Sequence, residues 1–493
     1  MLDITYIPLY AILISLAAVP LIISSSRRPN LREFWTLLAA VIKFVLVLAL
    51  IPSALANNTI ELHLFDILPN VPFLLKADPF GIYFALIASS LWIFTSFYSI
   101  GYMRGDKEIK QTRYFSSFAI CLSATIGIAF SGNLFTFIFF YEILTIATYP
   151  LVIHKENTEA IKAGRKYLAY TLTAGLLLLA AAGAVYYYTG TLEFQYGGLF
   201  GDTELSQTVI VSIFLLFLAG VGVKAGIMPF HSWLPSAMAA PTPVSALLHA
   251  VAVVKSGVFG VIRIVGFVFG PEMMMDFNLN SILIVLSGFT IIVASLLAFA
   301  QDNLKFRLAY STVGHLSYIV LGAALLSPLG LTGSVLHMSA HATMKITLFF
   351  CAGAIHINLH KDNISELDGI AKAMPWTMAA FTIGSIGLAG IPPINGFVSK
   401  WFLASGSLQA GYIIPLAILI ISGVFNVGYF FPIIKRAYFN AGDASLAKHG
   451  EASAFMVVPL VVTAIASLVL GLFPNLIFHF YDLASNIAQH LLN

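Results

Sequence analysis

The sequence predicts an all-α polytopic membrane protein with about 14 transmembrane helices. Hydrophobic residues make up 59% of its 493 residues and charged residues only 10%, whereas soluble domains carry about 25% charged residues. Apolar windows of roughly 20 residues recur along the whole length. Lys and Arg collect in every second connecting loop, which is typical of membrane proteins whose successive loops lie on opposite sides of the membrane.

The apolar windows give approximate centres for the spans. The first window, Ile4 to Ile23, has arginines after it and none before it, so we expect a retained span and not a cleavable signal peptide. We expect residues 1–493 to form one transmembrane domain without a soluble module. The expected centres are Ile14, Phe44, Ser90, Ala124, Leu144, Leu178, Phe217, Val254, Ile291, Leu316, Thr343, Gly387, Ile421 and Ala466.

The basic residues of the loops predict the orientation of the chain. They follow spans one, three, five, nine, eleven and thirteen, and Lys76 and Arg263 are the main exceptions. By the positive-inside rule we expect both termini on the outer face of the membrane. The basic residues are Arg27, Arg28, Arg32, Arg104, Lys107, Lys110, Arg113, Lys155, Lys162, Arg165, Lys166, Lys305, Arg307, Lys361, Lys372, Lys435, Arg436 and Lys448.

Composition and motifs exclude several classes of function. The net charge of +3 is too small to indicate a nucleic-acid partner. Cys121 and Cys351 lie inside apolar segments, so we expect packing residues and neither a disulfide nor a metal site. There is no nucleophile–base pair, phosphate loop or metal cluster in the sequence. We therefore expect no cofactor, and an enzyme in its own right is the least favoured class.

The stretch from Val221 to Gly257 carries the strongest functional signal. It holds Lys224 and Lys255 in otherwise apolar, helix-length sequence, with four prolines between them. A lysine near the centre of a membrane span costs about 2.5–3.5 kcal/mol on insertion scales. Two such lysines around a break at membrane depth predict a buried polar pathway. A purely structural scaffold is the competing hypothesis, and it would have to tolerate this cost without using the charges.

Other ionisable residues lie inside predicted spans and can take up and release a proton. Glu142 lies near the middle of span five and Lys400 follows the Pro392-Pro393 break of span twelve. A Glu–Lys pair whose separation changes would act as a switch, since the lysine keeps its proton while the pair is closed and releases it when the pair opens. The remaining candidates are His249 in span eight and, at intervals of four on one face of span eleven, His337, His341 and Lys345.

Each of these residues also has a simpler interpretation. A single membrane histidine such as His249 or His337 can be a packing residue, and Lys400 can extend toward the membrane interface. His337 and His341 could bind a metal or haem, although no carboxylate or cysteine lies nearby in the sequence. Lys43 in span two has no partner that the sequence identifies. His231, beside Pro229 and Trp233, is expected in a loop or at the interface.

Four segments carry a resemblance to a known family. They are FYEILTIATYPLV, KAGIMPFHSWLPSAMAAPTPVSALLHAVAVVKSG, the stretch from Lys305 through Gly353, and AGIPPINGFVSKW. With them the chain resembles the proton-conducting, antiporter-like membrane subunits of complex I, membrane-bound hydrogenases and Mrp-type sodium/proton antiporters. The resemblance implies two inverted five-helix repeats, spans four to eight (112–269) and nine to thirteen (280–436), with broken helices seven and twelve. A short internal echo fits this arrangement: Ala225–Pro229 recurs as Ala389–Pro393.

The resemblance also implies roles for the candidate residues. Glu142 and Lys224 match the family's paired glutamate and lysine, and His249 with Lys255 match its span-eight relay. The span-eleven face matches the relay that links the two halves, and Lys400 matches the terminal site.

The resemblance implies a proton-translocating subunit of a multisubunit Mrp-type Na⁺/H⁺ antiporter, of the mid-sized type. The alternative is a proton-pumping subunit of a redox-driven complex whose redox centre lies elsewhere. The expected partners are other membrane subunits, homologous antiporter-like subunits among them, the lipid bilayer and protons, with Na⁺ crossing a partner subunit. The resemblance also implies a location in a prokaryotic cell (inner) membrane.

Overall fold

The computed structural model describes residues 3–201, 205–442, 446 and 449–492, and the side chain of His249 lies outside what it describes. The described chain is almost entirely helical, with one two-stranded hairpin. The helices are α1 (Ile7–Ser24), α2 (Pro29–Leu48), α3 (Ile51–Leu55), α4 (Pro79–Gly105), α5 (Gln111–Ala129), α6 (Leu134–Val152), α7 (Thr158–Thr189), α8 (Gln207–Ala225), α9 (Trp233–Ser236), α10 (Thr242–Ala246), α11 (Val253–Arg263), α12 (Gly270–Asp276), α13 (Leu279–Phe299), α14 (Leu304–Ala324), α15 (Pro328–Leu359), α16 (Pro375–Ala389), α17 (Asn395–Gln409), α18 (Ile413–Phe439), α19 (Ala454–Leu472) and α20 (Phe480–Leu492).

The helices confirm the predicted class of a polytopic membrane protein. Within the described residues, 11 helices are long and apolar enough to cross a membrane. All of the expected span centres fall inside helices. Three of them, Ala124, Leu316 and Gly387, lie in helices that are not among these 11, namely α5, α14 and α16. The sequence did not predict α20, a short helix that packs on α15 and α4.

Two helices are broken in the same way. α8 ends at Ala225 and α16 ends at Ala389, and each is followed by a glycine with positive φ, +68° at Gly226 and +86° at Gly390. Glycine adopts this left-handed conformation without the steric cost that a side chain brings. The helical path resumes with α17 after the second break and with several short helices after the first. The internal echo of the sequence therefore corresponds to two similar breaks, while the repeat bounds 112–269 and 280–436 stay a prediction.

The segment predicted as span eight is irregular and deeply buried. It consists of α10, a π-helical turn (Leu247–Val251), α11 and a second π-helical turn (Ile264–Phe269). π-Helical turns widen a helix by one residue and often occur at functional sites. The stretch Val253–Asp276 is buried along its whole hydrophobic window, and it carries Lys255 and Arg263.

A β-hairpin that the sequence reasoning missed covers one face of the bundle. β1 (Ile60–Leu68) pairs antiparallel with β2 (Val71–Ala77), and the turn places Asn70 at φ +59°. The hairpin is joined to the α5–α6 connection by main-chain hydrogen bonds, from Lys76 N to Phe130 O at 2.7 Å and from Gly132 N to Leu74 O at 3.0 Å. We call this side the hairpin face, and the opposite side, with most of the Lys and Arg loops, the basic face.

Both exceptions to the charge alternation are neutralised on the hairpin side. Lys76 Nζ lies 2.7 Å from Glu61 and 3.5 Å from Glu193. The buried guanidinium of Arg263 forms an ion pair with Asp78, with one nitrogen 2.8 Å from Asp78 Oδ1. Four aromatic rings surround this guanidinium, with centroids 4.4–5.3 Å away: Phe80, Phe194, Phe259 and Phe267.

Replacing Arg263 by Met should lower the melting temperature of the purified protein strongly. The change leaves Asp78 as a buried carboxylate without its cation, a loss that typically costs about 3–5 kcal/mol. Thermal unfolding in detergent measures it. Lys76→Met is the matched control, because its carboxylate partners are partly exposed and such pairs contribute about 0–1 kcal/mol. Adding Asp78→Asn to Arg263→Met should recover part of the loss, and equal melting temperatures for the two single variants would contradict the prediction.

Candidate functional site

Glu142 lies on α6 and Lys224 on α8, two helices that both pack on α7, and no ion pair within 4.0 Å joins the two side chains in the described structure. Lys224 is fully buried at the end of α8, where Nζ donates to the main-chain oxygen of Tyr141 at 2.6 Å and lies 3.3 Å from the centre of the Tyr141 ring. The Glu142 carboxylate packs against Gly175 of α7, where an added Cβ would collide with it. Its Oε1 has no hydrogen-bond partner among the described residues. The two side chains are therefore not ion-paired in this structure.

Lys255 and His341 meet at the centre of the bundle. Lys255 Nζ on α11 lies 2.7 Å from His341 Nδ1 on α15, and both side chains are fully buried. The two nitrogens are both basic, so one of them must donate and the other accept in this hydrogen bond. This contact joins the predicted first repeat directly to the predicted second repeat.

A third histidine, His315 on α14, extends this row and was missed by the sequence reasoning. His315 Nδ1 lies 3.1 Å from His337 Nε2, and the two rings stack with centroids 5.3 Å apart. His337 Nδ1 in turn lies 2.8 Å from Ser399 Oγ on α17. The available signal was an ionisable residue in the middle of the apolar span ten, and all three side chains are buried.

The row has one interruption, between His341 and His315. Their ring centroids are 5.7 Å apart, and the Nε2 atom of each ring is buried without a hydrogen-bond partner among the described residues. Buried polar atoms are almost always hydrogen-bonded to protein or to ordered water. Two neighbouring nitrogens of this kind are what a bridging water requires.

Lys345 and Lys400 bind main-chain carbonyls, as Lys224 does. Lys345 Nζ donates to Leu308 O at 3.1 Å, and Lys400 Nζ donates to Leu388 O at 2.6 Å and to Ala389 O at 3.3 Å. The break after α16 leaves the last carbonyls of that helix without helical partners, so they are natural acceptors for a cation. His337, His341 and Lys345 share a helix face as predicted; His337 and Lys345 contact α14, and His341 contacts α11.

α18 supplies uncharged polar groups around the terminal lysine. Asn426 donates to Leu388 O at 3.2 Å, and Tyr318 donates to Ser422 at 2.7 Å. The Tyr318 ring lies 5.0 Å from Lys400 Nζ. These groups hold the end of α16 and the aromatic ring in place, and the carbonyls at that end of α16 bind the Lys400 ammonium.

A polar cavity of about 240 Å³ opens at the basic face. In its wall His356 Nδ1 hydrogen-bonds Asp362 Oδ1 at 2.9 Å, which lowers the pKa of the Asp362 carboxyl. Lys305 Nζ, also in the wall, donates to Ala240 O at 2.9 Å. Thr242, the first residue of α10, borders the cavity as well, so the cavity reaches the helical segment that leads to Lys255. We call this cavity the vestibule.

The sequence singled out three more ionisable residues. The side chain of His249 lies outside what the structure describes. Lys43 on α2 is fully buried 4.7 Å from the centre of the Trp92 ring, and its Nζ has no hydrogen-bond partner within the described chain. His231 lies in a short 3₁₀ turn, Phe230–Ser232, where the sequence predicted a loop or an interfacial position.

The broken helices and the buried row of lysines and histidines define a membrane protein of the transporter type. Residues 131–426 match the family model described as NADH:quinone oxidoreductase/Mrp antiporter, TM, and the chain belongs to this family.

Curated relatives and a solved structure extend this match. The chain is 31% identical over 436 residues to the NADH-quinone oxidoreductase subunit N of Desulforudis audaxviator, covering 84% of this chain and 85% of that protein. It is 32% identical over 345 residues to the hydrogenase-4 component B of Escherichia coli, covering 66% of this chain and only 50% of that protein. A chain in the structure of the Mrp complex from Dietzia sp. DQ12-45-1b superposes with a TM-score of 0.88 at 21% identity, covering all of both chains. At this identity the structural match shows the fold alone.

Proposed function

We propose that the chain translocates protons through its central polar axis, as the mid-sized antiporter-like member of a multisubunit Mrp-type Na⁺/H⁺ antiporter. The central polar axis consists of Lys255, His341, His315, His337 and Lys400. The observation that carries the proposal is the hydrogen-bonded contact of Lys255 with His341 together with that of His315 with His337. Buried basic side chains without carboxylate partners destabilise a membrane protein, so their presence is explained best by a role in proton transfer.

Protons are taken up through the vestibule and reach Lys255 along α10 and the π-helical turn. The basic loops lie on the cytoplasmic side and both termini on the outer side, in accordance with the positive-inside rule. Lys155, Lys305 and Asp362 surround the vestibule and give it a polar, hydrated surface. The vestibule therefore connects the cytoplasm to the first lysine of the axis.

Proton transfer along the axis proceeds between neighbouring basic nitrogens. The Lys255–His341 hydrogen bond accommodates one proton, and a second proton on the same pair is repelled by the first. A water between the unpartnered Nε2 atoms of His341 and His315 completes the path to His337. From there the proton leaves toward Lys400, whose ammonium is held by the carbonyls at the end of α16.

The Glu142–Lys224 pair controls when the axis is charged. In the separated arrangement Lys224 binds the Tyr141 carbonyl, while Glu142 lies against α7. Closing the pair would place the negative charge beside the lysine and keep its proton there. Opening the pair releases that proton. The loss of positive charge at Lys224 then makes it easier for Lys255, on the packed helix α11, to hold a proton.

Sodium crosses another member of the complex in this proposal. A sodium site requires clustered carboxylate or carbonyl oxygens, and Glu142 is the one carboxylate the sequence sets near the middle of a span. The homologous antiporter-like subunits of the complex are the natural place for the second ion.

The second candidate function is proton pumping in a redox-driven complex. It is favoured by the identity of 31% to an NADH-quinone oxidoreductase chain over 84% of this chain. The composition of the complex purified with this chain separates the two candidates. Iron–sulfur subunits in stoichiometric amounts favour the redox-driven complex, whereas sodium-dependent proton exchange without them favours the antiporter.

Replacing His315 by Phe tests the proposed axis in the assembled complex. The change removes both ring nitrogens but keeps a flat ring, so proton uptake by proteoliposomes should fall by about tenfold or more. A pH-sensitive dye inside the vesicles measures the rate. His231→Phe is the matched control, because it removes a histidine outside the axis and should leave the rate unchanged. Normal transport in His315→Phe, with normal assembly, would refute this part of the path.

A further inference from the structure

A small cavity lies beside the axis, between α15, α17 and the segment that joins α19 to α20. Its volume is about 10 Å³, the size at which a site holds one water molecule. Ser339, Asn395 and Ser399 border it, and the rest of its wall is apolar. Because Ser399 is the hydrogen-bond partner of His337, the cavity lies one side chain away from the axis.

Asn395 brings an unsatisfied acceptor to this cavity. It is the first residue of α17, only 6% exposed, and its Nδ2 donates to Thr343 Oγ1 at 3.0 Å. Its Oδ1 has no hydrogen-bond partner among the described residues. An amide oxygen buried in this way is unfavourable unless a donor reaches it.

The two serine hydroxyls can each accept one further hydrogen bond. Ser339 donates to a carbonyl of its own helix at 3.0 Å and lies 2.8 Å from Tyr83 Oη on α4. Ser399 likewise donates to a carbonyl of α17 at 3.1 Å and lies 2.8 Å from His337. Since a hydroxyl oxygen accepts up to two hydrogen bonds, each oxygen keeps a free position when Tyr83 and His337 donate to it.

We propose that this cavity binds one water molecule, which donates to Asn395 Oδ1 and to Ser399. The water accepts a hydrogen bond from Ser339, whose hydroxyl then accepts from Tyr83 and no longer donates to the carbonyl of its own helix. The water ties the start of α17 to α15 and holds Ser399 against His337. It acts as a positioning ligand for the terminal part of the axis. This role rests on the proposed function, whereas the water site itself does not.

Ser339 offers the cleanest test, because it borders the cavity without belonging to the axis. Ser339→Ala removes the hydroxyl, and Ser339→Thr keeps it. Ser339 also borders a separate apolar cavity of about 330 Å³ between α4 and α19, which has room for the added methyl group of Thr. A cryo-electron microscopy map of the assembled complex that resolves ordered water, and proton transport in proteoliposomes, are the two measurements.

We expect a water peak within hydrogen-bond distance of Asn395 Oδ1 in the parent complex and in Ser339→Thr, and its loss in Ser339→Ala. Transport should fall roughly fivefold in Ser339→Ala, as for the loss of one hydrogen bond, and recover in Ser339→Thr. A map that resolves other buried waters but none here overturns the site. Unchanged transport in Ser339→Ala overturns the positioning role. If axis variants such as His315→Phe keep full transport, the proposed function fails while the map still decides the water site.

Discussion

Replacing Lys255 by Met is expected to reduce proton transport by the assembled complex by at least about 100-fold, the scale of a lost proton-transfer group. Methionine keeps the length and apolar stem of the side chain but removes the nitrogen that contacts His341 at 2.7 Å. The Lys255–His341 hydrogen bond, which joins the two predicted repeats, is thereby lost. The rate of proton uptake by proteoliposomes containing the complex measures the effect, and assembly is checked by size-exclusion chromatography.

Lys43→Met is a matched control for this variant. Lys43 is as deeply buried as Lys255, but it lies on α2 beside Trp92 and not in the axis. The two substitutions have the same chemical effect, so any general consequence of removing a buried lysine is shared. We expect Lys43→Met to transport protons at the parent rate. Equal losses in both variants would show that burial of the charge, and not its place in the axis, determines the effect.

Removing the charge of Glu142 or of Lys224 is expected to have the second-largest effect on proton transport. Glu142→Gln and Lys224→Ala should each lower transport by about 10- to 100-fold, because either change removes one member of the switch. The double variant should transport protons at nearly the rate of the single variants, since each single substitution already disables the switch. Lys224→Arg keeps the cation but cannot release its proton, so it should be inactive as well.

Glu193→Gln is the control for the carboxylate. Glu193 pairs with Lys76 at the hairpin face and is partly exposed, so its loss should leave transport intact. Additive losses in the Glu142 and Lys224 double variant would contradict a shared switch. Full activity of Lys224→Arg would show that the lysine contributes a fixed charge and never releases its proton.

The sequence was sufficient for the fold class and for most of the buried charges. Apolar windows of helix length predict spans directly, and the cost of a charge in lipid makes residues such as Lys255 and Lys345 conspicuous. The two helix breaks could also be predicted, because Gly226 and Gly390 lie in the two similar segments Ala225–Pro229 and Ala389–Pro393. These features depend on local sequence and on the membrane as a solvent, which is why they could be predicted.

The parts that were missed depend on packing between distant segments. The pairing of His315 with His337 joins α14 to α15, and only tertiary structure shows that the two rings stack. The sequence alone also could not show that Lys224 binds the Tyr141 carbonyl instead of the Glu142 carboxylate. The hairpin was not predicted because its strands are rich in apolar residues, like the end of a transmembrane span. Asn70, with its positive φ, was the available sign of a turn.

The burial of α11 has a consequence for biogenesis. This helix carries Lys255 and Arg263 and is covered on all sides, and each cation costs about 2.5–3.5 kcal/mol at the centre of an isolated span. The segment is therefore poorly suited to leave the translocon into lipid by itself. It has to remain beside earlier helices such as α4, whose first turn is capped by the partner carboxylate Asp78, until α15 is synthesised and encloses it. We expect the nascent chain to mature as a group of helices, with synthesis of the second half completing the insertion of the first.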